Sequence, residues 1–218
     1  MQVAIVGGTG AQGRGLAARL AAAGVSVVVG SRDAGHAREV VAALAREHAG
    51  LAIEPATNAD AIAGADVVVL TVPFAHAAVT LEANRDRFRS GSLLIDVTVP
   101  VVFEKGAPRL LDVPEGSASE HIRPRLPDRV ALAAAFKTLP AAMLAALGQP
   151  IDCDEFVCGD SAAARSRALE VAARIPGLRA LDVGGLDAAR TIERMTVLAI
   201  ALNKRYRVRS ARFRVVGV

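Results

Sequence analysis

The sequence predicts an α/β fold, a doubly wound parallel sheet with a small C-terminal α/β extension. Short apolar runs alternate with amphipathic segments along the first hundred residues. The runs are apolar at consecutive positions, as strands covered on both faces must be. The first of them leads directly into a glycine-rich turn and a helix, the opening of a Rossmann-type dinucleotide domain.

Residues 3–6 form the first buried strand, broken by Gly7-Gly8. A helix is expected from about 11 to 23, apolar through Leu16, Leu20 and Ala23 and ended by Gly24. Residues 25–29 make a second strand, closed by Gly30-Ser31-Arg32. An amphipathic helix over 33–48 carries Val40, Leu44 and His48 four apart. Weak strand character at 51–53 precedes a short helix near 58–63, and 67–70 is the third convincing strand. A helix near 76–88 and a strand at 93–95 complete the alternation. Residues 97–114, rich in Pro and Gly, read as a long functional loop. Beyond it come a strand at 130–135, a helix at 160–175, a strand at 179–183 and a closing helix at 187–203. The expected division is a dinucleotide domain over 1–150 and a smaller part over 151–218.

A chain of 218 residues with 52% apolar side chains can fill one such domain and a modest addition. Aromatics are only 3%, with no Trp, which argues against a base-stacking nucleic-acid surface. The formal charge of +4 gathers at the C-terminus, in Lys204, Arg205, Arg207, Arg209, Arg212 and Arg214. Such a cluster suits phosphates, carboxylates or lipid head groups. In an extended chain, Arg205, Arg207 and Arg209 would share one face, either to bind an anion or to guard a sheet edge. Cys153 and Cys158, spaced C-x4-C, read as reduced thiols of a cytosolic protein. The N-terminus shows no signal-peptide pattern, and no apolar run reaches the roughly 18 residues of a membrane span. The expectation is a cytoplasmic protein with neither nucleic acid nor membrane as partner.

Gly8-Thr9-Gly10-Ala11-Gln12-Gly13 is a G-x-G-x-x-G set between strand and helix. The first glycine is expected to permit the tight turn, the second to admit a pyrophosphate, and the third to let helix and strand pack. The helix start adds free N–H groups and a favourable dipole. An NAD-type site places an acid at the end of the second strand, where this chain has Ser31-Arg32. A hydroxyl and a guanidinium suit a 2′-phosphate, so NADP(H) is the expected cofactor, with His36 one turn on as a further donor. Alternatively, Arg32 is an ordinary solvated side chain. Thr71-Val72-Pro73 and Thr98-Val99-Pro100 follow strands and either border the crevice or are simply rigid turns. His76 reads as a helix-surface residue, and Asp152, Asp154 and Glu155 as a solvated acidic loop. Neither a Tyr/Ser–Lys acid–base set nor a metal cluster is apparent, which suits hydride transfer between two redox rings held face to face.

The segments Gly7-Gly8-Thr9-Gly10, Val29-Gly30-Ser31-Arg32 and Leu70-Thr71-Val72-Pro73 resemble those of the NADPH:coenzyme F420 oxidoreductases. So do Val157-Cys158-Gly159-Asp160 and Gly177-Leu178-Arg179-Ala180-Leu181-Asp182, in order and at matching spacing. The resemblance implies that Thr9, Gly10, Ala11 and Gln12 hold the pyrophosphate and that Ser31 and Arg32 bind the 2′-phosphate. It implies that Val72, Pro73, Val99 and Ala141 line the nicotinamide side, and that a deazaflavin lies against Lys137-Thr138-Leu139-Pro140. The family often has Lys where this chain has His36, and His where it has Lys137. At the end of a strand, Lys137 is expected to present its ammonium to the acceptor, the rival reading being a surface Lys. The smaller C-terminal part would complete the acceptor site. A homodimer is expected through the stripe Ile192, Met195, Leu198 and Leu202, unless that stripe packs on its own subunit. Two other readings are an NADPH-dependent imine or carbonyl reductase and a non-catalytic NADP(H) sensor.

Overall fold

The computed structural model describes residues 1–218. In chain order the elements are β1 (Gln2–Val6), α1 (Ala11–Ala22), β2 (Ser26–Ser31), α2 (Ala34–Glu47), β3 (Ile53–Thr57), α3 (Asn58–Gly64), β4 (Val67–Leu70), α4 (Phe74–Ala83) and β5 (Leu93–Asp96). There follow β6 (Val101–Glu104), β7 (Ala107–Leu110), α5 (Ala118–Ile122), β8 (Ala131–Ala134), α6 (Ala141–Ala145), β9 (Cys153–Gly159), α7 (Ala162–Ala172), β10 (Leu178–Asp182) and α8 (Ala189–Tyr206). Eight strands make one sheet in the order β3-β2-β1-β4-β5-β8-β9-β10. It is parallel from β3 through β8, and the β9–β10 pair runs antiparallel to the rest. The strand order reverses between β1 and β4, which opens a crevice beyond their carboxyl ends.

Consecutive apolar residues are buried on both faces because helices cover both. Val3, Ile5, Val69 and Ile95 pack with α1 and α7 on one side; Ala4, Val6, Val68 and Leu94 pack with α3, α4 and α5 on the other. The sheet and the larger core both continue across residue 150, with Cys153, Val157 and Ala164 in the same cluster as Val3 and Leu16. Helix starts follow local chemistry. The Asp33 carboxylate accepts the N–H groups of Gly35 and His36 at 2.7 and 3.4 Å, and the Ser161 hydroxyl accepts that of Ala164 at 3.1 Å.

Several expectations change. The stretch 97–114 contains the antiparallel hairpin β6–β7, turned by Lys105 and Gly106, both at positive φ. Two such residues make the turn that matches strand twist. Of the acidic stretch only Asp152 is solvated, just before β9. Asp154 and Glu155 lie inside β9 at 1% and 0% exposure, and Arg179 of β10 reaches Asp154 at 2.7 Å. Burial of a carboxylate needs such partners, which sequence proximity does not display. The basic C-terminus forms no strand. Arg207, at φ +55, ends α8 in the left-handed region, so the expected one-faced alternation of cations is broken. Arg212 donates to the Asp152 carbonyl at 2.9 Å and Arg214 pairs with the Asp152 carboxylate, tying the tail beside β9. The helices α5 and α6 were not anticipated. Both are only five residues long, too short to show a periodicity.

The short α6 is held from outside. Arg19 of α1, 3% exposed, donates to the carbonyls of Leu144, Gln149, Met143 and Ala146 at 3.1, 2.7, 2.7 and 2.6 Å. These include carbonyls that a helix end leaves without partners. Arg19→Met keeps the apolar stem and removes the donors. It is expected to lower unfolding free energy by about 2–3 kcal/mol. Urea denaturation checks this, and a change within error would remove Arg19 as the anchor of α6.

Candidate active site

The glycine turn after β1 divides the work differently from the motif's usual assignment. The tight turn belongs to Gly7, at φ +71, where a Cβ would stand 2.5 Å from Val72 Cγ1. Gly8 and Gly13 serve packing, since a Cβ on Gly13 would lie 2.6 Å from Gly8 Cα. Gly10 caps α1, and its missing Cβ faces open space, with nothing nearer than the Gly7 carbonyl at 3.9 Å. The N–H groups of Ala11, Gln12 and Gly13 open the helix there without intrahelical partners. The residues present therefore fit a pyrophosphate at the end of α1.

A cleft of about 790 Å³ begins at this turn, bordered by Thr9–Gln12, Ser31, Arg32, His36, Val72 and Pro73. Ser31 is 6% exposed, and its oxygen accepts the Asp33 N–H at 3.2 Å, leaving its own proton to donate. Arg32 is exposed at the cleft edge and belongs to no ion pair of this structure. Asp33 also borders the cleft, but its carboxylate is turned to the first turn of α2. The imidazole of His36 stands 3.5 Å from Glu39. Sequence reasoning missed Asn58, whose Oδ1 accepts the Gly7 N–H at 3.2 Å, and Thr80 on α4 with Asn84 at its C-terminal cap. His76, read as a surface residue, lines this cleft as well. The spacing 76, 80, 84 marks one helical face and was the available signal.

A second cavity of about 600 Å³ adjoins the first, and Gln12, Thr71, Val72 and Pro73 border both. Its walls include Val99, Phe136, Lys137, Leu139, Pro140 and Ala141, so most of the expected acceptor residues come together. The C-terminal part adds Arg209, one of the cations expected to meet an anion, and Thr196, Ile200 and Asn203, which the sequence reading had not placed there. Thr138 turns away, its hydroxyl donating to Glu155 at 3.0 Å.

Lys137 corrects its own expectation. Its side chain is fully buried, so it meets the cavity through its backbone. The ammonium stands 2.7 Å from Asp96 and 3.2 Å from Glu193, and donates to the Thr98 carbonyl. Burial presses against this charge, but Asp96 and Glu193 outweigh it and hold the ammonium above its ordinary range. Asp96 also accepts from the Thr98 N–H and hydroxyl at 2.9 and 2.7 Å and from the Ser119 hydroxyl at 2.6 Å. Glu193 accepts the Ala118 N–H at 3.0 Å, and its other oxygen has no partner. Burial raises the Glu193 carboxyl, tempered by the Lys137 charge.

The turn above this cluster is strained. Phe136 is fully buried at φ +60, a conformation that costs a bulky residue about 1–3 kcal/mol. Gln12 donates from Nε2 to the carbonyls of Phe136 and Leu139 at 3.1 and 3.3 Å, and Thr196 donates to that of Lys137 at 3.0 Å. The residue that opens α1 therefore also grips the wall of the second cavity.

Known proteins match this arrangement. The family described as NADP oxidoreductase, coenzyme F420-dependent, matches residues 2–100. An F420-dependent NADP reductase of Methanothermobacter thermautotrophicus is 45% identical, over all of this chain and 96% of its own length. The chain belongs to the F420-dependent NADP reductase family. Another F420-dependent NADP reductase, from Methanocaldococcus jannaschii, is 33% identical over all of this chain and 99% of its own. A crystal structure described as a putative F420-dependent NADP reductase, from an Arthrobacter species, superposes with TM-score 0.82 at 26% identity, covering 98% of both chains. An imine reductase of Bacillus cereus is similar in fold alone, with TM-score 0.64 at 19% identity over 94% of this chain and 63% of that one.

In this family member, Lys137→Met would leave two carboxylates facing each other in an apolar site. The expected loss is about 3–5 kcal/mol at pH 8. Without the ammonium, Glu193 would be raised further, so lowering the pH protonates it in the folded state and removes the repulsion. The loss should therefore shrink by pH 5. Urea unfolding of parent and variant at both pH values measures it, and an equal loss at both would dissolve the assignment of charge to this cluster.

Proposed function

We propose that this protein transfers a hydride between NADP(H) and the deazaflavin coenzyme F420, binding them as neighbours in the two joined cavities. The observation that carries this reading is the shared border, Gln12, Thr71, Val72 and Pro73, where two flat rings would meet. NADPH supplies two electrons and a proton as hydride from C4, the acceptor takes it at C5, and one proton from solvent completes the reduced acceptor. The protein's part is placement. Thr9 to Gln12 hold the pyrophosphate at the start of α1, and Ser31 and Arg32, with His36 beside them, bind the 2′-phosphate. Val72, Pro73, Val99 and Ala141 confine the nicotinamide. The turn Lys137-Thr138-Leu139-Pro140 shapes the acceptor wall, with residues 151–218 closing it through α8. Two rings held in contact distance need no covalent nucleophile.

The rival readings have less support. The solved imine reductase extends well beyond the length matched here, whereas this chain closes its second cavity with α8 and the short segment after it. A sensor of NADP(H) would have no use for that second cavity. A cytoplasmic location is part of this proposal; no helix is long and apolar enough to cross a membrane. It is taken as a homodimer through the outer face of α8, where Leu198 is 51% exposed. Ile192, at 2%, packs on its own subunit instead.

Arg32→Glu tests the cofactor assignment, because it replaces attraction by repulsion at the 2′-phosphate. NADPH affinity should fall roughly tenfold to a hundredfold while NADH binding changes little. Equal losses for the two in a titration would sink the assignment.

Of the C-terminal cations, Arg209 borders the acceptor cavity and forms no ion pair. It is positioned for the phosphate-and-glutamate tail of the coenzyme. Arg209→Ala should raise KM for the intact coenzyme roughly threefold to tenfold and flatten its dependence on ionic strength. KM for the tailless chromophore should not move, and a parallel rise there would remove Arg209 from tail binding.

A further inference from the structure

Glu155 is a carboxylate inside the larger apolar core. Side chains alternate along β9, so it shares a face with Cys153 and Val157, whose neighbours are Ala164, Ala168 and Val171 of α7. It is fully buried, and Oε1 has no hydrogen-bond partner. An acid in such a place is costly unless it holds something. Its other oxygen accepts the Thr138 hydroxyl at 3.0 Å, directly below the strained turn.

We infer that Glu155 is a positioning residue for the acceptor wall, its negative charge holding the turn Phe136-Lys137-Thr138 from inside the core, and that protonating it loosens the wall. This rests on the reading of the second cavity as the acceptor site. The turn straddles the sheet edge. Lys137 is pinned on one face by Asp96 and Glu193, while Thr138 is pinned on the other by Glu155. Burial pushes Glu155 up to about 7, against the pull of the Thr138 hydroxyl and the N–H groups of Phe136, Phe156 and Lys137. Burial opposes the charge whether the turn is held or loose, whereas the donors of the turn favour it. The hold is therefore strongest above about 7 and weakens as pH falls through it.

The surrounding charged groups are otherwise engaged. Cys153, on the same strand, is pushed up to about 12 by burial and by the Glu155 charge, so it stays a thiol across this range. Asp154 faces the opposite side and is paired with Arg179 of β10. From α1, Arg19 donates to the carbonyls near α6, and Gln12 is neutral. From the C-terminal tail, Arg212 donates to the Asp152 carbonyl. On α8, Glu193 belongs to the Lys137 cluster.

Hydrogen exchange of the 136–139 amides, corrected for intrinsic rates, reads the hold without any acceptor. From about pH 8 to about pH 6, protection in the parent should fall roughly tenfold, the worth of one charge-assisted hydrogen bond. Glu155→Gln should be poorly protected at both pH values. Thr138→Val, which takes away the pinning donor, should lower protection already at about pH 8 and move what pH dependence remains to higher pH. KM for coenzyme F420 should follow protection, rising at low pH in the parent and staying high and flat in Glu155→Gln, with the NADPH Kd unchanged throughout. Unaltered protection in Glu155→Gln overturns the inference, as does altered protection with an unmoved acceptor KM. A parent that does not reduce coenzyme F420, yet shows the exchange pattern, fails the functional reading and leaves the hold of Glu155 on the turn upheld.

Discussion

One ammonium set between two carboxylates organises the second cavity of this protein. Lys137 comes from the turn after β8, Asp96 from the end of β5 and Glu193 from α8, and all three are sealed from water. An unpaired charge there would be prohibitive, so the three elements must arrive together. The same carboxylates collect further partners: Asp96 takes the Thr98 backbone and the Ser119 hydroxyl, and Glu193 takes the start of α5. A βα turn, two helices and a strand end are thereby registered against one another. The outcome is geometric, since the cluster itself presents no charge to the cavity.

That registration explains how a strained residue persists beside a binding cavity. Phe136 at positive φ is tolerated because the turn is gripped from several directions, by Lys137 below one sheet face, Thr138 below the other, Gln12 from α1 and Thr196 from α8. Strain that the surroundings over-determine is a means of preorganisation. Gln12 has a particular place in this scheme. It lies in the first turn of α1, at the border of the first cavity, and also holds the wall of the second, so the two halves of the cleft share a mechanical support. For a reaction that asks the protein mainly to place two rings, such stiffness is the useful property.

The dinucleotide half was legible because its determinants are local. Consecutive apolar residues marked the strands, Gly24 ended α1, Asp33 stood at the start of α2, and the Gly8–Gly13 set sat between strand and helix. Even there, the conformational role of the first glycine fell to Gly7, because Val72 comes from β4 to occupy the space beside it. The hairpin β6–β7 was hidden behind Pro and Gly counts, although Lys105-Gly106 is a turn signal.

By itself, then, the sequence determined the parallel sheet, the crevice at its switch point and the hydroxyl and guanidinium that Ser31-Arg32 set at its edge, all fixed by neighbours a few residues apart. Only the tertiary structure decided the fate of the buried charges. The ammonium of Lys137 turned inward because Asp96 and Glu193 lie 41 and 56 residues away along the chain yet meet it in space. Asp154 and Glu155 are accommodated in a buried strand because Arg179 pairs with the first and Thr138 donates to one oxygen of the second. The free energy of a buried charge depends on which partners the fold brings within hydrogen-bonding distance, and a local pattern of residues does not contain that information.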